Sequence, residues 1–139
     1  MIGTVLALSG IVALYLLQRR RKEKSLNDLK VLEVDISIMK DYKPDSDINI
    51  IRLFDMACDR IQVVIYQGKV DTRTILTLYS LYKQVKEWDA DEAPGAEEQT
   101  PPEKYRMWLQ QKGKDEIRCM KEYIVLIAQF DKYTESVLK

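Results

Sequence analysis

The sequence predicts an all-α protein, a four-helix bundle that follows a single transmembrane helix and a stalk. Apolar residues recur at helical spacing through most of the stretch from Ile48 to Leu138. Glycines and capping residues stand where these apolar runs stop and start, as they do at helix ends. The chain begins with an uncharged apolar run, MIGTVLALSGIVALYLL. We therefore expect an anchor at residues 1–18, a basic flank and stalk at 19–43, and a bundle at 44–139.

The composition of the chain excludes several classes of function. The chain has 139 residues, enough for one modest domain and an appendage. Lys+Arg and Asp+Glu both number 22, so the broad basic field of a nucleic-acid-binding protein is missing. No histidine is present, which excludes Ser-His and Cys-His nucleophile pairs and HExxH zinc sites. The two cysteines, Cys58 and Cys119, fall at apolar helical positions. We expect a protein that is not an enzyme, holds no cofactor or metal and binds no nucleic acid.

The N-terminal run has the pattern of a single-pass membrane anchor. It covers roughly 25 Å as a helix, slightly less than a hydrocarbon core of ~30 Å, so the charged ends of Arg19 to Lys22 would reach back to the interface. The sequence QRRRKEK follows the run at once. Basic flanks stay on the side of synthesis, so the bundle is expected on the cytosolic or matrix side, at a mitochondrial or endoplasmic reticulum membrane. A cleaved signal peptide is the rival, disfavoured because no basic residue precedes the run, and a buried core helix is the other alternative.

Residues 19–43 are interpreted as a helical stalk or connector. Their apolar positions mix helical with alternating spacing, which leaves the secondary structure ambiguous. Pro44 disfavours helix at Lys43, so the compact domain is expected to begin there.

The first two helices of the bundle have clear boundaries in the sequence. The first begins near Ile48 and stops at Gly68, a residue type that commonly ends helices. Asp71 can cap the second helix, TRTILTLYSLYKQVKEW. The stretch that follows, DADEAPGAEEQTPP, is acidic and rich in proline and is expected to be a solvated loop.

The last two helices are also marked at their ends. Thr100 and Glu103 have the spacing of a capping box, with Pro102 as the first helical residue, and this third helix ends at Gly113. The fourth helix is capped near Asp115 and carries an apolar stripe through Phe130 that Tyr133 continues.

Several short motifs give the chain a family resemblance. The sequences LFDMACDRI, LTLYSLYKQ, APG, KYRMWLQQKG and CMKEYI occur in the order of the acyl-CoA-binding protein family, which the chain resembles from Ile51 to about Lys132. The resemblance implies that CoA contacts fall at Tyr79, Lys83, Lys104 and Tyr123. It implies positions beside the acyl chain and headgroup at Phe54, Ala57, Leu76 and Tyr82.

The chemistry of these residue types agrees with that assignment. A lysine binds phosphate as a point charge, and a tyrosine offers a flat apolar face for a base and a hydroxyl for a phosphate. An apolar helix face can shelter a fatty chain. Tyr79, Tyr82 and Lys83 stand three to four residues apart, so they share one side of a helix.

The chain also departs from the family pattern. Thr100 and Pro102 stand where family members usually have further lysines, and Ala93 stands where an arginine commonly precedes the Pro-Gly. An acidic loop beside a polyanionic nucleotide weakens binding, by about 1 kcal/mol for each close charge pair in water.

Two functions are therefore expected as alternatives. The first is a membrane-anchored protein that binds long-chain acyl-CoA esters without catalysis, with acyl-CoA and the bilayer as its partners. The alternative is a structural accessory subunit of a membrane complex, such as a mitochondrial respiratory complex, which retains the fold with a partly decayed ligand site and has other subunits as partners. A third, weaker option is a domain that presents acyl-CoA to a separate active site.

Overall fold

A computed structural model describes residues 28–40 and 47–138 of the chain. Over these residues the chain forms six α-helices, two short 3-10 helices and no β-strand. The 3-10 helices are Ile36–Lys40 and Ala90–Glu92. The α-helices are α1 (Asp47–Tyr66), α2 (Thr72–Glu87), α3 (Ala96–Gln99), α4 (Pro102–Leu109), α5 (Glu116–Phe130) and α6 (Lys132–Leu138). The all-α prediction is confirmed, and its four helices correspond to α1, α2, α4 and α5.

Helix α5 is the centre of the bundle. Its inner positions are almost completely buried and form the main core with Phe54, Val64 and Leu81 from the two longer helices. The buried apolar residues of α5 are Cys119, Met120, Tyr123, Ile124, Val125, Leu126 and Ile127. Helices α1 and α2 both pack against α5 and make few contacts with each other. A groove lies between them, and Tyr123 of α5 forms part of its wall.

The junction of α1 and α2 follows the predicted stop and cap. Gly68 adopts a φ of 69°, a left-handed conformation that glycine reaches without a steric penalty. Its amide donates to the Ile65 carbonyl at 3.0 Å, which closes the last turn of α1. The Asp71 carboxylate accepts the Thr74 amide at 2.8 Å and so caps α2.

The acidic loop packs more closely than the solvated loop expected from the sequence. Asp89 is only 6 % exposed, and its Oδ1 accepts the Gln84 side-chain amide at 2.7 Å and the Gly113 backbone amide at 2.8 Å. Ala90 and Ala96 pack on the fully buried Trp108 and form a second small core. The prediction is therefore wrong for Asp89, Ala90 and Ala96, which are buried, whereas the other acidic residues of the loop are exposed.

The capping box predicted at Thr100 is absent. Thr100 ends α3 instead, and its amide donates to the Ala96 carbonyl at 3.0 Å, so that amide is not free to bond Glu103. Helix α4 starts at Pro102, as predicted, but the residue at its cap position is Pro101, which has no side-chain oxygen.

The last predicted helix is divided in two. Helix α5 ends at Phe130, and Asp131 then caps α6 by accepting the Thr134 hydroxyl at 2.6 Å and the Thr134 amide at 3.3 Å. Tyr133 does not continue the buried stripe, because it lies on α6 and is 53 % exposed.

The prediction of a helical stalk is wrong for residues 29–35, which the structure describes. These residues are non-helical and precede the first 3-10 helix. We call residues 28–40 the strap. The Gln110 side chain bonds two backbone groups of the strap, since its Nε2 donates to the Leu29 carbonyl at 2.9 Å and its Oε1 accepts the Val31 amide at 2.8 Å. Arg73 Nε donates to the Lys30 carbonyl at 2.7 Å.

The strap is part of the folded bundle. Its Leu32 amide donates to the Thr77 hydroxyl on α2 at 3.1 Å. Val34 packs against the main core, and Met39 is buried in it. Amide and guanidinium side chains therefore satisfy backbone groups that a helix would have paired internally.

The predicted anchor at residues 1–18 and the basic flank up to residue 27 lie outside the described residues. Among the residues that are described, no helix is long and apolar enough to cross a membrane.

Candidate acyl-binding groove

The groove between α1 and α2 encloses a cavity of about 470 Å³, a size typical of small-molecule sites. Apolar side chains form most of its surface, and Asp59 is the one carboxylate at its wall among the described residues. Helix α1 contributes Cys58, Asp59, Ile61 and Ile65, helix α2 contributes Ile75, Leu78, Tyr79 and Tyr82, and α5 contributes Tyr123. Such a surface fits an apolar chain better than a polar ligand.

Three of the predicted site residues, Tyr79, Tyr82 and Tyr123, line this groove. Tyr79 is half-buried, and burial raises its hydroxyl pKa although a hydrogen bond with Thr100 lowers it in part. Tyr123 is 3 % exposed, and burial raises its pKa strongly. Both hydroxyls are therefore neutral at physiological pH and can act as hydrogen-bond donors.

Phe54, also predicted, is buried and is not among the residues that line the groove, but its ring contacts two tyrosines that do. Its ring stacks on Tyr82 with centroids 6.4 Å apart and meets the edge of Tyr123 at 5.1 Å. These separations are within the range of favourable aromatic contacts. We call Phe54, Tyr82 and Tyr123 the aromatic end of the groove.

The two predicted lysines differ in their position relative to the groove. Lys104 reaches from α4 so that its Nζ is 5.1 Å from the centroid of the Tyr79 ring, beside the groove. Lys83 does not line the groove. Its Nζ pairs with Glu87 one turn later on α2 and lies 5.0 Å from the centroid of the Trp108 ring. The structure thus places Lys104 next to a groove tyrosine and holds Lys83 one turn beyond it.

Ala57 and Leu76, the remaining predicted contacts, are buried and are not among the residues that line the groove. Ala57 packs inside the main core. Its small side chain lets neighbouring groups approach α1 closely.

Several residues at or near the groove were not predicted as ligand contacts. Cys58, Ile61 and Ile65 line it and follow the helical spacing of α1, so the apolar pattern could have placed them on one face. Lys86 does not line the groove, but its Nζ lies 5.7 Å from the centroid of the Phe54 ring and 5.8 Å from that of Tyr82. No motif in the sequence marked it.

The groove has no group prepared for nucleophilic or metal chemistry in the described part of the chain. Burial raises the pKa of the Cys58 thiol to about 11, although a hydrogen bond from Tyr123 lowers it in part. A neutral thiol is a poor nucleophile. Among the described residues, no three Cys, Asp or Glu side chains lie together as a metal site requires.

Comparison with known proteins decides the family. The family model described as "Acyl CoA binding protein" matches residues 52–127, more than half of the chain. The chain belongs to the acyl-CoA-binding protein family. This acyl-CoA-binding domain is also 30% identical over 80 residues to mouse "Diazepam-binding inhibitor-like 5", an alignment that covers 57% of this chain and 90% of that protein. No solved structure matches the chain. The matched residues include every lining residue of the groove, whereas the strap and α6 lie outside the match.

Proposed function

We propose that the protein binds long-chain acyl-CoA esters without catalysis, with the acyl chain in the groove between α1 and α2. The observation that carries this proposal is the apolar groove itself, which has Tyr79, Tyr82 and Tyr123 on its walls in a domain of the acyl-CoA-binding family. Each methylene buried there would contribute about 0.8 kcal/mol, so affinity should rise with chain length until the groove is full.

The CoA part requires cations and an aromatic face outside the apolar groove. Lys104 and Tyr79 form such a pair at the rim, and Tyr82, which is 39 % exposed, offers a second ring. In our proposal the Tyr79 hydroxyl and Lys104 bind phosphate oxygens, and Lys83 joins them after it leaves Glu87.

Binding without turnover agrees with the chemistry of the groove. The protein has no histidine to act as a general base, and Cys58 has a raised thiol pKa. The acyl-CoA thioester should therefore be released from the protein intact.

A membrane tether is the second part of the proposal. The uncharged run at residues 1–17 and the basic cluster after it support an anchor that keeps the domain on the cytosolic or matrix side of its membrane. In that arrangement the domain would hold acyl-CoA close to the lipid enzymes of the same bilayer.

An accessory role in a membrane complex is the alternative function. The pairing of Lys83 with Glu87 and the acidic residues of the loop favour it, because both reduce the positive charge available to a nucleotide. Purification from native membranes would distinguish the two, since a carrier should migrate alone and a subunit should migrate in a large assembly.

Calorimetric titration tests the binding proposal. The full-length protein in lipid nanodiscs is titrated with palmitoyl-CoA, and free CoA and palmitate serve as partial ligands. We expect saturable binding of palmitoyl-CoA, much weaker binding of either part, and complete recovery of the intact thioester by chromatography. Equal affinity for palmitate and palmitoyl-CoA would contradict a CoA site, and thioester hydrolysis would contradict binding without catalysis.

A further inference from the structure

Lys86 places an additional positive charge at the aromatic end of the groove. It stands in the last turn of α2 and is exposed, and its Nζ is within 6 Å of the ring centroids of both Phe54 and Tyr82. No carboxylate of the described residues lies within ion-pairing distance of it. The charge is therefore available to a ligand.

Charges of both signs lie around the groove. Burial is the main cause of the raised pKa of the Cys58 thiol on the opposite wall, and among the nearby charges Lys86 lowers that pKa whereas Asp55 and Asp59 raise it. The α1 side of the groove thus carries two negative charges that would repel a phosphate. Lys86 opposes them from α2.

The lysines around the groove differ in availability. Lys83 is held by Glu87 and the Trp108 ring, and Lys104 lies over Tyr79 on the α4 side. Lys86 lies at the aromatic end of the groove. It forms no ion pair with any described residue, so no such pair has to break before it contacts a ligand. A lysine ammonium on a flexible stem can move from a ring face to a phosphate at small energetic cost.

We propose that Lys86 is a phosphate-binding residue for the CoA part of the ligand, located beside Tyr82 at the aromatic end of the groove. This inference rests on the proposed function. The phosphates are the only anionic groups of an acyl-CoA ester, so a cation at this position recognises that part of the ligand and not the acyl chain or the thioester. Lys86 thereby compensates in part for the acidic loop and for the engagement of Lys83.

Titration with two ligands, one with phosphates and one without, distinguishes a phosphate-binding role of Lys86 from a structural one. The full-length protein in nanodiscs is titrated with palmitoyl-CoA and with palmitoyl-pantetheine, which has the same thioester but no phosphate. Lys86→Gln removes the charge, Lys86→Arg keeps it, and Lys132→Gln on α6 removes a charge outside the groove as a matched control. Thermal unfolding of each variant reports any loss of helix stability.

The expected result is a selective loss. Lys86→Gln should weaken palmitoyl-CoA binding about five- to ten-fold, between the effect of an exposed ion pair and that of a buried charged hydrogen bond, and leave palmitoyl-pantetheine binding unchanged. Lys86→Arg should restore most of the affinity, and Lys132→Gln should have no effect. The loss should shrink at high salt, because ions screen an exposed charge.

Three outcomes would overturn the inference. Unchanged palmitoyl-CoA binding by Lys86→Gln would show that Lys86 contacts no phosphate while leaving the proposed function intact. An equal loss for both ligands would assign Lys86 a structural role. Absence of palmitoyl-CoA binding by the unmodified protein would overturn the proposed function and this inference together.

Discussion

Arg60 and Asp131 form a two-pronged ion pair that joins α1 to the junction of α5 and α6. Arg60 Nε donates to Asp131 Oδ2, and a terminal guanidinium nitrogen donates to Oδ1, both at 2.9 Å. The Asp131 side chain is only 3 % exposed, and the same carboxylate caps α6 through Thr134. One carboxylate therefore holds three helices together, and its charge matters to the stability of the fold.

The first prediction concerns the pH dependence of this contact. The hydrogen bonds from Arg60 hold the pKa of Asp131 at about 2, below the usual value near 4. Because the folded-state pKa is depressed, the pair stabilises the protein above about pH 4, and this contribution is lost as pH falls to about 2. Asp131→Asn keeps an oxygen for the cap and removes the charge, so it should lower the free energy of unfolding at pH 7 by about 2 kcal/mol.

Denaturant unfolding of the two proteins at several pH values tests this prediction. The difference between wild type and Asp131→Asn should narrow below about pH 4 and nearly vanish at about pH 2. A difference that stays constant over that range would show that the charge of Asp131 is unimportant.

Trp88 gives a prediction about backbone strain. It has a φ of 68° and a ψ of −149°, a conformation that glycine adopts easily and other residues rarely do. Its contacts with α2 and Trp108 use backbone atoms, since its amide donates to the Gln84 carbonyl and its carbonyl accepts Trp108 Nε1. Trp88→Gly should therefore stabilise the fold by about 1 kcal/mol in thermal or urea unfolding. Trp88→Ala is the control, because alanine keeps the strain. An equal gain in stability from both variants would show that removal of the exposed indole, and not relief of backbone strain, causes the effect.

The strap supplies a third prediction. Gln110→Ala removes both hydrogen bonds that fix the backbone at Leu29 and Val31, and it should destabilise the fold by about 1–2 kcal/mol. Hydrogen exchange should accelerate in residues 28–40 and remain slow in α5. Gln62→Ala, at an exposed position on α1, is the matched control and should change neither measurement. Unchanged exchange in the strap would mean that its apolar contacts alone hold it in place.

The pairing of Lys83 with Glu87 leads to the fourth prediction. Glu87→Gln releases Lys83 toward the groove and should tighten palmitoyl-CoA binding by about two-fold, the scale of an exposed pair one helical turn apart. The same substitution in a Lys83→Ala background should have no effect, which makes the set a double-mutant cycle. Tighter binding in that background as well would mean that Glu87 acts through general charge repulsion.

The sequence by itself determined the helices that have strong local signals. Gly68, Asp71 and Asp115 each act within one turn of their own position, so helix boundaries there could be predicted from neighbouring residues. The apolar spacing of α5 likewise identified its buried side. The family motifs drew attention to Tyr79, Tyr82 and Tyr123, and the structure places all three at one groove.

Tertiary contacts decided the rest. The strap is extended because Gln110 and Arg73, more than 40 residues away in the sequence, satisfy its backbone groups. Asp89 turns inward because Gln84 and Gly113 offer it donors, and no local pattern distinguishes it from the exposed acids around it. The positions of Lys83 over the Trp108 ring and of Lys86 near the Phe54 ring depend on which helices pack together. Hydrogen-bond partners and ring faces that meet only after folding are beyond the reach of a local pattern, and they determine which charges are available to a ligand.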